Sequence, residues 1–582
     1  MASSGVAHVH SEAEPAVGTF EELLEQVGAI GLWQAFYFAL IFVVYAFGAA
    51  VGTAPTFYQI TPPFNCRVAG GFPNSSSWSV AQKLNISSPK SAAGAAQHEA
   101  FDGCRFFPQD YSHLPRQFER AYSMIMNARS ALLLNATDCV DWDFDTSLDM
   151  TATAITDFNL VCGNRLGFEH SQVAYFFGYT VGVLIGGVMG DMFGRKWVSA
   201  VWMVLGGASS CAVSFYPTYL WFLIGRLLNG VSTSASIITL FTLCMELTTS
   251  RWRTLLGGLI WVPYALGYSS VSGFAYLLRD WKWMHLALSA PVLLSSPLLL
   301  LLLPESPRWL LTKGRVAEAD ALIRKMARWN RKTYPTNVDY SRIVSTLSKT
   351  EDDARNAPTL LHLFSVKDGR CQSPRLLSYS LNLLFNWFIN AMVYYGVLLN
   401  VSSYAGDRFV NNAVSGLIEF PAYVLVAIVL LWGRQRSLVL AMFGAGTCLL
   451  LTPWVRDNPP WVLISVVMVG KVWITVSFSV VYVLTSELYP TVIRSGGVAL
   501  SSAVARFGSA SAPYIAAVPK FNRALDWAPE TIFGSLALLA GGLALFLPET
   551  RGKRLPETLE DAERIHEQTG GARAAKVYPT QE

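Results

Sequence analysis

The sequence predicts an all-α membrane protein with about twelve transmembrane helices arranged as two similar halves. Three observations support this fold class: the composition, the recurrence of long apolar runs, and a set of short motifs that occurs twice. Of the 582 residues, 52% are hydrophobic and only 14% are charged. A typical soluble domain has roughly 25% charged residues. The chain is therefore expected to be surrounded largely by lipid.

Apolar runs of about 17 to 25 residues, long enough to cross a bilayer as a helix, recur along the chain. The first is GLWQAFYFALIFVVYAFGAAVG, from Gly31 to Gly52. An even number of crossings returns both termini to the same side. The N-terminal segment is acidic and has no basic region followed by an apolar one, so we expect no cleavable signal peptide. Both termini are therefore predicted to be cytosolic.

The apolar runs divide the chain into five predicted segments. These are a cytosolic N-terminus (1–29), a six-helix half (30–303), a cytosolic helical loop (304–373), a second six-helix half (374–547) and a cytosolic tail (548–582). The loop is rich in Lys and Arg, which the positive-inside rule places in the cytosol. Within it, Ser306 and Pro307 are expected to start a short helix that Gly314 ends, and VAEADALIRKMARW is expected to form a second.

A long polar insert, residues 54–168, interrupts the first half and far exceeds ordinary loop lengths. Its even number of cysteines suits disulfide bonds in an oxidising compartment, and three pairings are open. The insert also holds three sequences that accept N-linked glycans. The cysteines are Cys66, Cys104, Cys139 and Cys162, and the acceptors are Asn74, Asn85 and Asn135. We therefore expect the insert to be extracellular and the protein to lie in the plasma membrane.

Several motifs recur at a shift of about 240 residues, which indicates an internal repeat. LPESPRWLL begins at Leu303 and LPETRGKRL at Leu547, each at the end of an apolar run. The pairs Glu246 with Arg253 and Glu487 with Arg494 have the same spacing. GDMFGRK has a weaker counterpart, LWGRQRS, which lacks the aspartate. Two parallel halves are an architecture of secondary transporters that rock about a central site.

The motif GGVMGDMFGRK resembles the signature between the second and third helices of the major facilitator superfamily. The motifs PESPRWLL, ELYPTVIR and LPETRGKRLPETLED resemble those of the organic ion transporters of solute carrier family 22. The resemblance covers nearly the whole chain and implies the twelve-helix fold of the major facilitator superfamily. Met192 stands where the superfamily signature usually has a basic residue, and the insert has four cysteines where many relatives have six. The resemblance also implies a charge network that closes the cytosolic side in the outward-facing state. Its members are Asp191, Arg195, Glu246, Arg253, Glu305, Arg308, Glu487 and Arg494.

Ionisable residues inside apolar helices mark the expected substrate site, because an uncompensated charge there is costly. Glu419 in GLIEFPAYVLV and Arg506 in SSAVARFGSASAPY are the main candidates. As an alternative, they pair with each other or with Lys471. Tyr394 matches a substrate-contacting aromatic position of the family, and Phe478 lies on a helix expected to line the cavity. Aromatic faces of this kind attract organic ammonium groups.

The resemblance narrows the substrate class. Cation-transporting relatives carry an aspartate at the position of Arg506, whereas anion transporters and the carnitine-type branch carry arginine. Anion transporters usually have a lysine near Tyr423, and this sequence has none there. The pattern is therefore most similar to the carnitine-type branch. Its zwitterions would offer a carboxylate to Arg506 and an ammonium group to Glu419 or to aromatic faces.

The leading hypothesis is an alternating-access secondary transporter of small organic cations or zwitterions. The alternatives are an organic anion transporter and a transport-inactive receptor or scaffold with the same fold. The sequence has no phosphate-binding loop, HExxH or CxxC motif, so we expect no enzyme activity, no cofactor and no metal site. A net charge of +4, spread over the loops, does not indicate nucleic-acid binding. The expected partners are a small organic ion, the lipid bilayer and a co-transported or exchanged ion.

The glycan prediction can be tested by electrophoresis. Treating the chain from expressing cells with a glycosidase that removes N-linked glycans should increase its mobility, because Asn74, Asn85 and Asn135 each accept a glycan. A variant with all three changed to Gln should match the digested protein without treatment. Equal mobility before and after digestion would contradict the prediction.

Overall fold

The structure is a computed structural model. It describes residues 17–68, 80–89, 103–108, 111, 120–125, 135–146, 150–216, 218–356, 366–367, 370–371, 373–401, 404 and 406–565. The described part is a bundle of long helices with a small insert at one end and a group of short helices at the other. We call these the insert end and the basic end.

The first half contains six membrane crossings. The helices up to the end of this half are α1 Phe20–Gln26, α2 Leu32–Thr53, α3 Pro55–Tyr58, α4 Val80–Ser87, α5 Ala154–Asp157, α6 Gly167–Phe193, α7 Arg195–Val213, α8 Tyr219–Glu246, α9 Ser250–Leu259, α10 Trp261–Leu278 and α11 Trp281–Leu302. The crossings are α2, α6, α7, α8, the pair α9 and α10, and α11. Successive crossings run in opposite directions, because the connection after each one reverses the chain.

The second half repeats this arrangement after the loop at the basic end. The remaining helices are α12 Pro307–Thr312, α13 Val316–Trp329, α14 Tyr340–Asn356, α15 Pro374–Asn400, α16 Arg408–Leu417, α17 Glu419–Val429, α18 Arg434–Val455, α19 Pro460–Leu488, α20 Arg494–Ala516, α21 Ala528–Ala544 and α22 Leu559–Glu563. The crossings are α15, the pair α16 and α17, and α18 to α21. In the described part, eight spans are long and apolar enough to cross a membrane by length and composition. The shorter or more polar α7, α9 with α10, α20 and α21 complete the twelve.

Small residues allow the helices of each half to approach closely. A Cβ atom on Gly178 of α6 would lie 2.2 Å from the carbonyl oxygen of Leu227 in α8, and one on Gly182 would lie 2.1 Å from that of Val231. Packing of small residues replaces the hydrophobic driving force that helices lack inside lipid. The two halves meet mainly where α6 packs against α20 and where α10 packs against α16.

The insert is held by two short antiparallel ribbons and two disulfides. Strand β1 Phe64–Cys66 pairs with β4 Trp142–Phe144, and β2 Arg105–Phe106 pairs with β3 Thr137–Asp138. A third ribbon, β5 Val366–Lys367 with β6 Arg370–Cys371, lies in the loop before α15. Of the three pairings left open by the sequence, the structure has Cys66 with Cys139 and Cys104 with Cys162. The first disulfide therefore joins segments that the ribbons bring together, whereas the second ties the β2 segment to the turn that precedes α6.

The structure describes two of the three predicted glycan acceptors. Asn85 lies in α4 and is partly exposed, and Asn135 is exposed just before β3. Asn74 lies outside the described residues. Glycosylation at all three positions stays a prediction.

The basic end contains the two helices predicted within the loop. Ser306 caps α12 by accepting a hydrogen bond from the Trp309 amide at 3.2 Å, and Gly314 follows it with a φ of 74°. The second predicted helix coincides with α13. Asn330, at the end of α13, accepts a hydrogen bond from the Trp33 amide at 3.0 Å and donates one to the Val27 carbonyl at 3.1 Å. This side chain ties the loop to the start of the first crossing.

The disulfide pairing gives a direct test of the insert. Digestion of the unreduced protein should release one cross-linked peptide pair that contains Cys66 and Cys139 and a second that contains Cys104 and Cys162. Mass spectrometry before and after reduction would identify them. Any other pairing among these four cysteines would show that the insert is folded differently.

Candidate functional site

Glu419 lies at the centre of the second half, where α16 ends and α17 begins. Its side chain is completely buried. One carboxylate oxygen accepts a hydrogen bond from the Tyr394 hydroxyl at 2.6 Å, and the other accepts one from the Tyr423 hydroxyl at 2.9 Å. The ammonium group of Lys471 lies 3.3 Å from the first oxygen. In this conformation the carboxylate is neutralised and both of its oxygens are engaged.

Lys471 comes from α19 and is also completely buried. Its Nζ donates to the Ser415 hydroxyl at 2.7 Å and to the carbonyl of the same residue. It also lies 4.3 Å from the ring centroid of Tyr268, whose hydroxyl donates to Ser415 at 2.9 Å. Tyr268 belongs to the first half, so this cluster joins the two halves. Of the alternatives considered from sequence, the structure has Glu419 paired with Lys471.

Arg506 of α20 has no such partner. Its guanidinium lies 4.3 Å from the ring centroid of Tyr179 in the first half, donates a hydrogen bond to the Tyr395 hydroxyl and interacts electrostatically with Tyr482. Among the described residues, no carboxylate lies within ion-pair distance of it, and its Nε has no hydrogen-bond partner. The side chain is only partly buried. Arg506 therefore leaves one positive charge at the centre of the molecule without a neutralising acid.

Aromatic rings surround this centre. The ring of Phe478 lies 5.8 Å from that of Tyr394, 5.8 Å from that of Tyr482 and 5.9 Å from that of Trp387, measured between centroids. The structure thus brings Tyr394, Glu419 and Phe478 together. Their neighbours Tyr179 and Tyr268 were missed from sequence, because nothing distinguishes them from the other tyrosines in apolar runs.

At the basic end, Arg195 holds the turn between α6 and α7. Its guanidinium lies 2.7 Å from Asp191 and 2.9 Å from Glu246 at the end of α8. Glu305, just after α11, accepts a hydrogen bond from the Arg195 amide at 2.8 Å, and Arg308 interacts electrostatically with Glu246. These five predicted gate residues form one cluster, made by the first half and the start of the loop that follows it.

The second half contains the same arrangement around a residue missed from sequence. Arg434 lies 3.1 Å from Glu487, and its amide donates to Glu549 at 2.7 Å. Arg434 occupies the position in LWGRQRS that Arg195 has in GDMFGRK, so the repeat could have identified it. The absence of an aspartate in that motif does not prevent the arginine–glutamate pair.

The other two predicted gate residues have different partners. Arg253 forms an ion pair of 2.8 Å with Glu21 of α1, and Arg494 donates to the Tyr489 carbonyl at 3.2 Å. Between described residues, no ion pair or hydrogen bond of the gate residues crosses from one half to the other. In this conformation the network stabilises each half separately.

The two halves are instead joined at the insert end. Asn412 of α16 donates to the Ser272 hydroxyl of α10 at 2.8 Å. The rings of Phe57 and Phe409 stack with centroids 5.4 Å apart. At the basic end, no hydrogen bond or ion pair between described residues joins the halves. The conformation is therefore closed at the insert end.

Comparisons with known proteins assign the chain to a family. Residues 169–562 match the family described as sugar (and other) transporter. An organic cation transporter protein of Drosophila melanogaster is 30% identical over 568 residues, which cover 97% of this chain and 98% of that protein. Solute carrier family 22 member 3 of Rattus norvegicus is also 30% identical, over 94% of this chain and 96% of that protein. The chain belongs to solute carrier family 22 within that larger family. Solute carrier family 22 member 2 of Homo sapiens is 29% identical, with 94% and 95% of the two chains covered.

A solved structure supports the fold. The xylose transporter XylE from E. coli in an inward-open conformation matches with a TM-score of 0.55 and 16% identity, covering 90% of this chain and 99% of that one. At this identity the likeness concerns the fold alone. The predicted family and the twelve-helix fold are confirmed. The chain is a membrane-spanning secondary transporter of organic ions, not an enzyme.

The buried Glu419–Lys471 pair predicts a stability effect. Glu419→Gln should lower the unfolding temperature of the purified protein, because a buried charge left without its partner costs about 3 to 5 kcal/mol. The double variant Glu419→Gln with Lys471→Met removes both charges and should recover most of the loss. Thermal unfolding followed by intrinsic fluorescence measures each change.

A control for this prediction is Glu318→Gln, which removes an exposed partner of Arg315 in α13. Exposed pairs contribute about 0 to 1 kcal/mol, so this variant should unfold close to the parent temperature. The pairing would be contradicted if Glu419→Gln behaved like the control, or if the double variant were no more stable than Glu419→Gln.

Proposed function

We propose that the chain carries a small organic zwitterion of the carnitine type across the plasma membrane, with Arg506 receiving the carboxylate. The most direct support is that only one of the three charged side chains at the centre lacks a partner of opposite charge within the described part of the chain. Glu419 and Lys471 neutralise each other, whereas Arg506 has no acidic partner among the described residues. A substrate carboxylate would supply the missing negative charge and accept the guanidinium's hydrogen bonds.

The ammonium group of such a substrate would bind aromatic faces. Glu419 is buried and both of its oxygens are already engaged, so in this conformation it offers no free acceptor. The rings of Phe478, Tyr482 and Trp387 lie together within reach of the centre. Cation–π attraction contributes roughly 0.5 to 2 kcal/mol per ring, more when water is excluded. The cationic part of the substrate also agrees with the name of the relative described as an organic cation transporter.

Transport would follow from rocking of the two halves about this centre. The insert, with its disulfides and glycan acceptors, would be extracellular, and the basic end would be cytosolic under the positive-inside rule. The present conformation would then be closed toward the outside. In the opposite state the halves would meet at the basic end and bring the two arginine–glutamate clusters close together. We assign to that state the gating role of Asp191, Arg195, Glu246, Arg253, Glu305, Arg308, Glu487 and Arg494, with Arg434 added.

A second candidate is an organic anion transporter. It is favoured by the same pairing of Glu419 with Lys471, which leaves the site with a net positive charge. Uptake of p-aminohippurate without uptake of carnitine in cells that express the chain would support this function over the first. A co-transported or exchanged ion is compatible with both.

The proposed role of Arg506 predicts a change in substrate preference. Arg506→Lys should reduce carnitine uptake by about tenfold, because an ammonium group cannot reproduce the planar pair of hydrogen bonds that an arginine makes. Arg506→Asp should abolish carnitine uptake while sparing tetraethylammonium, which has no carboxylate. The measurement is the ratio of carnitine to tetraethylammonium uptake, normalised to protein at the cell surface.

Arg456→Gln provides the control for this experiment. Arg456 lies at the insert end, where it pairs with Asp526 at 3.7 Å. Its replacement should leave the uptake ratio unchanged. An unchanged ratio in Arg506→Asp would overturn the carboxylate-receptor role, whereas loss of surface protein in both Arg506 variants would identify a structural role.

A further inference from the structure

A single ion pair between described residues joins the two halves at the insert end. Lys520, in the turn after α20, lies 2.7 Å from a carboxylate oxygen of Glu169 in the first turn of α6. Arg165 reinforces this contact, since it donates to the Lys520 carbonyl at 3.1 Å and lies 4.5 Å from the ring centroid of Phe521. Any movement that parts the halves at this end must break the pair.

Glu169 depends strongly on this partner. Glu169 is only 4% exposed, and its second carboxylate oxygen is buried without a hydrogen-bond partner. A carboxylate that lost Lys520 and stayed in this environment would be a buried, unpaired charge, which is strongly destabilising. Opening of the insert end therefore requires either hydration of Glu169 or a second cationic partner.

A second cation lies on the same half. Arg226 of α8 is completely buried, and its Nη2 donates to the Gln172 side-chain oxygen at 3.1 Å. Its Nε and Nη1 atoms, and the Nε2 atom of Gln172, are buried without a hydrogen-bond partner. These three donors and one positive charge have no acid beside them within the described residues. Leaving such groups unsatisfied is costly unless another state of the molecule uses them.

The neighbouring groups do not satisfy these donors. His285 lies in the same region, but its ring nitrogens are engaged by the hydroxyls of Tyr58 and Ser210. Tyr175 offers its ring face to Arg226, with the guanidinium 4.6 Å from the centroid. Glu169 and Gln172 are three residues apart on α6, a spacing that places side chains on the same helix face about 5 to 6 Å apart. Glu169 is thus the acid closest in sequence to Gln172, and one of its carboxylate oxygens has no hydrogen-bond partner.

We propose that Glu169 exchanges partners during the transport cycle. It pairs with Lys520 while the insert end is closed, and with Arg226 and Gln172 when the halves part there. Because Glu169, Gln172 and Arg226 belong to the same half, the second pairing does not require the two halves to be in contact at this end. The exchange keeps the carboxylate neutralised in both states, so Arg226 favours opening and Lys520 favours closure. This inference rests on the proposed alternating-access function.

The test uses a reporter that does not require transport. Ser272→Cys places a thiol in the contact between α10 and α16 that closes the insert end. In the purified full-length chain in lipid nanodiscs, a bulky maleimide should react with this introduced thiol only when that end opens. Site-specific mass spectrometry gives its rate of labelling, separately from the native cysteines, and every variant carries the same reporter.

Lys520→Gln should raise the labelling rate at least about threefold, because the closed state loses its ion pair. Lys282→Gln is the matched control, since it removes an ion pair of the same 2.7 Å length at the insert end, with Asp157 of the same half. This control should label at the reference rate. An equal rate in Lys520→Gln and the control would overturn the closing role of the pair.

The charge-swapped variant Glu169→Lys with Lys520→Glu separates an exchange from a simple latch. It restores the ion pair of the closed state but places a lysine beside Arg226 when the halves part. The proposal predicts labelling below the reference rate, whereas a simple latch predicts the reference rate and would overturn the exchange. Adding Arg226→Gln to Lys520→Gln should likewise return the raised rate toward the reference. The charge-swapped variant leaves Arg226 intact, so the test remains decisive even if the variant with Arg226→Gln fails to fold. The labelling assay contains no substrate. A failure of the chain to take up carnitine would therefore contradict the proposed function without affecting the labelling result.

Discussion

A charged group buried in a membrane-spanning bundle is costly unless a neighbour neutralises it, and this cost explains how the two halves are built. In each half, an arginine at the turn between the second and third crossings binds a glutamate at the end of the fourth. A further glutamate, after the sixth crossing, accepts the amide of that arginine. The cluster therefore ties three connections together, so each half can move as one body.

The turn that presents each arginine has its own steric requirement. Gly194 and Gly433 precede the two arginines with φ of 98° and 137°, a conformation that side chains rarely adopt. A Cβ atom at either position would lie 2.3 Å from a carboxylate oxygen of the glutamate after the sixth crossing. The glycines thus give the backbone room to approach the acid. This explains why the weaker second motif keeps its glycine and arginine although it lacks the aspartate.

Beside these internally neutralised clusters, two charges near the interface depend on the other half or on a ligand. Arg506 faces Tyr179 across the interface and has no acid within the described part of the chain. Glu169 draws its cation from the opposite half. A transporter needs interactions of this kind, because groups that are satisfied in every state cannot distinguish one state from another. Incomplete neutralisation therefore marks the positions where function is to be sought.

The sequence by itself determined the membrane class, the internal repeat, the family and the two short helices of the basic end, because apolar length, capping residues and motif spacing are local properties of the chain. The tertiary structure decided the disulfide pairing, the pairing of Glu419 with Lys471 rather than Arg506, and the role of Arg434. Sequence analysis identified Glu419, Lys471 and Arg506 as ionisable residues within apolar helices but left their pairing open. Which of them meet depends on how helices far apart in the chain pack and rotate, and the apolar pattern of a membrane helix carries little of that information because nearly every face of it is apolar.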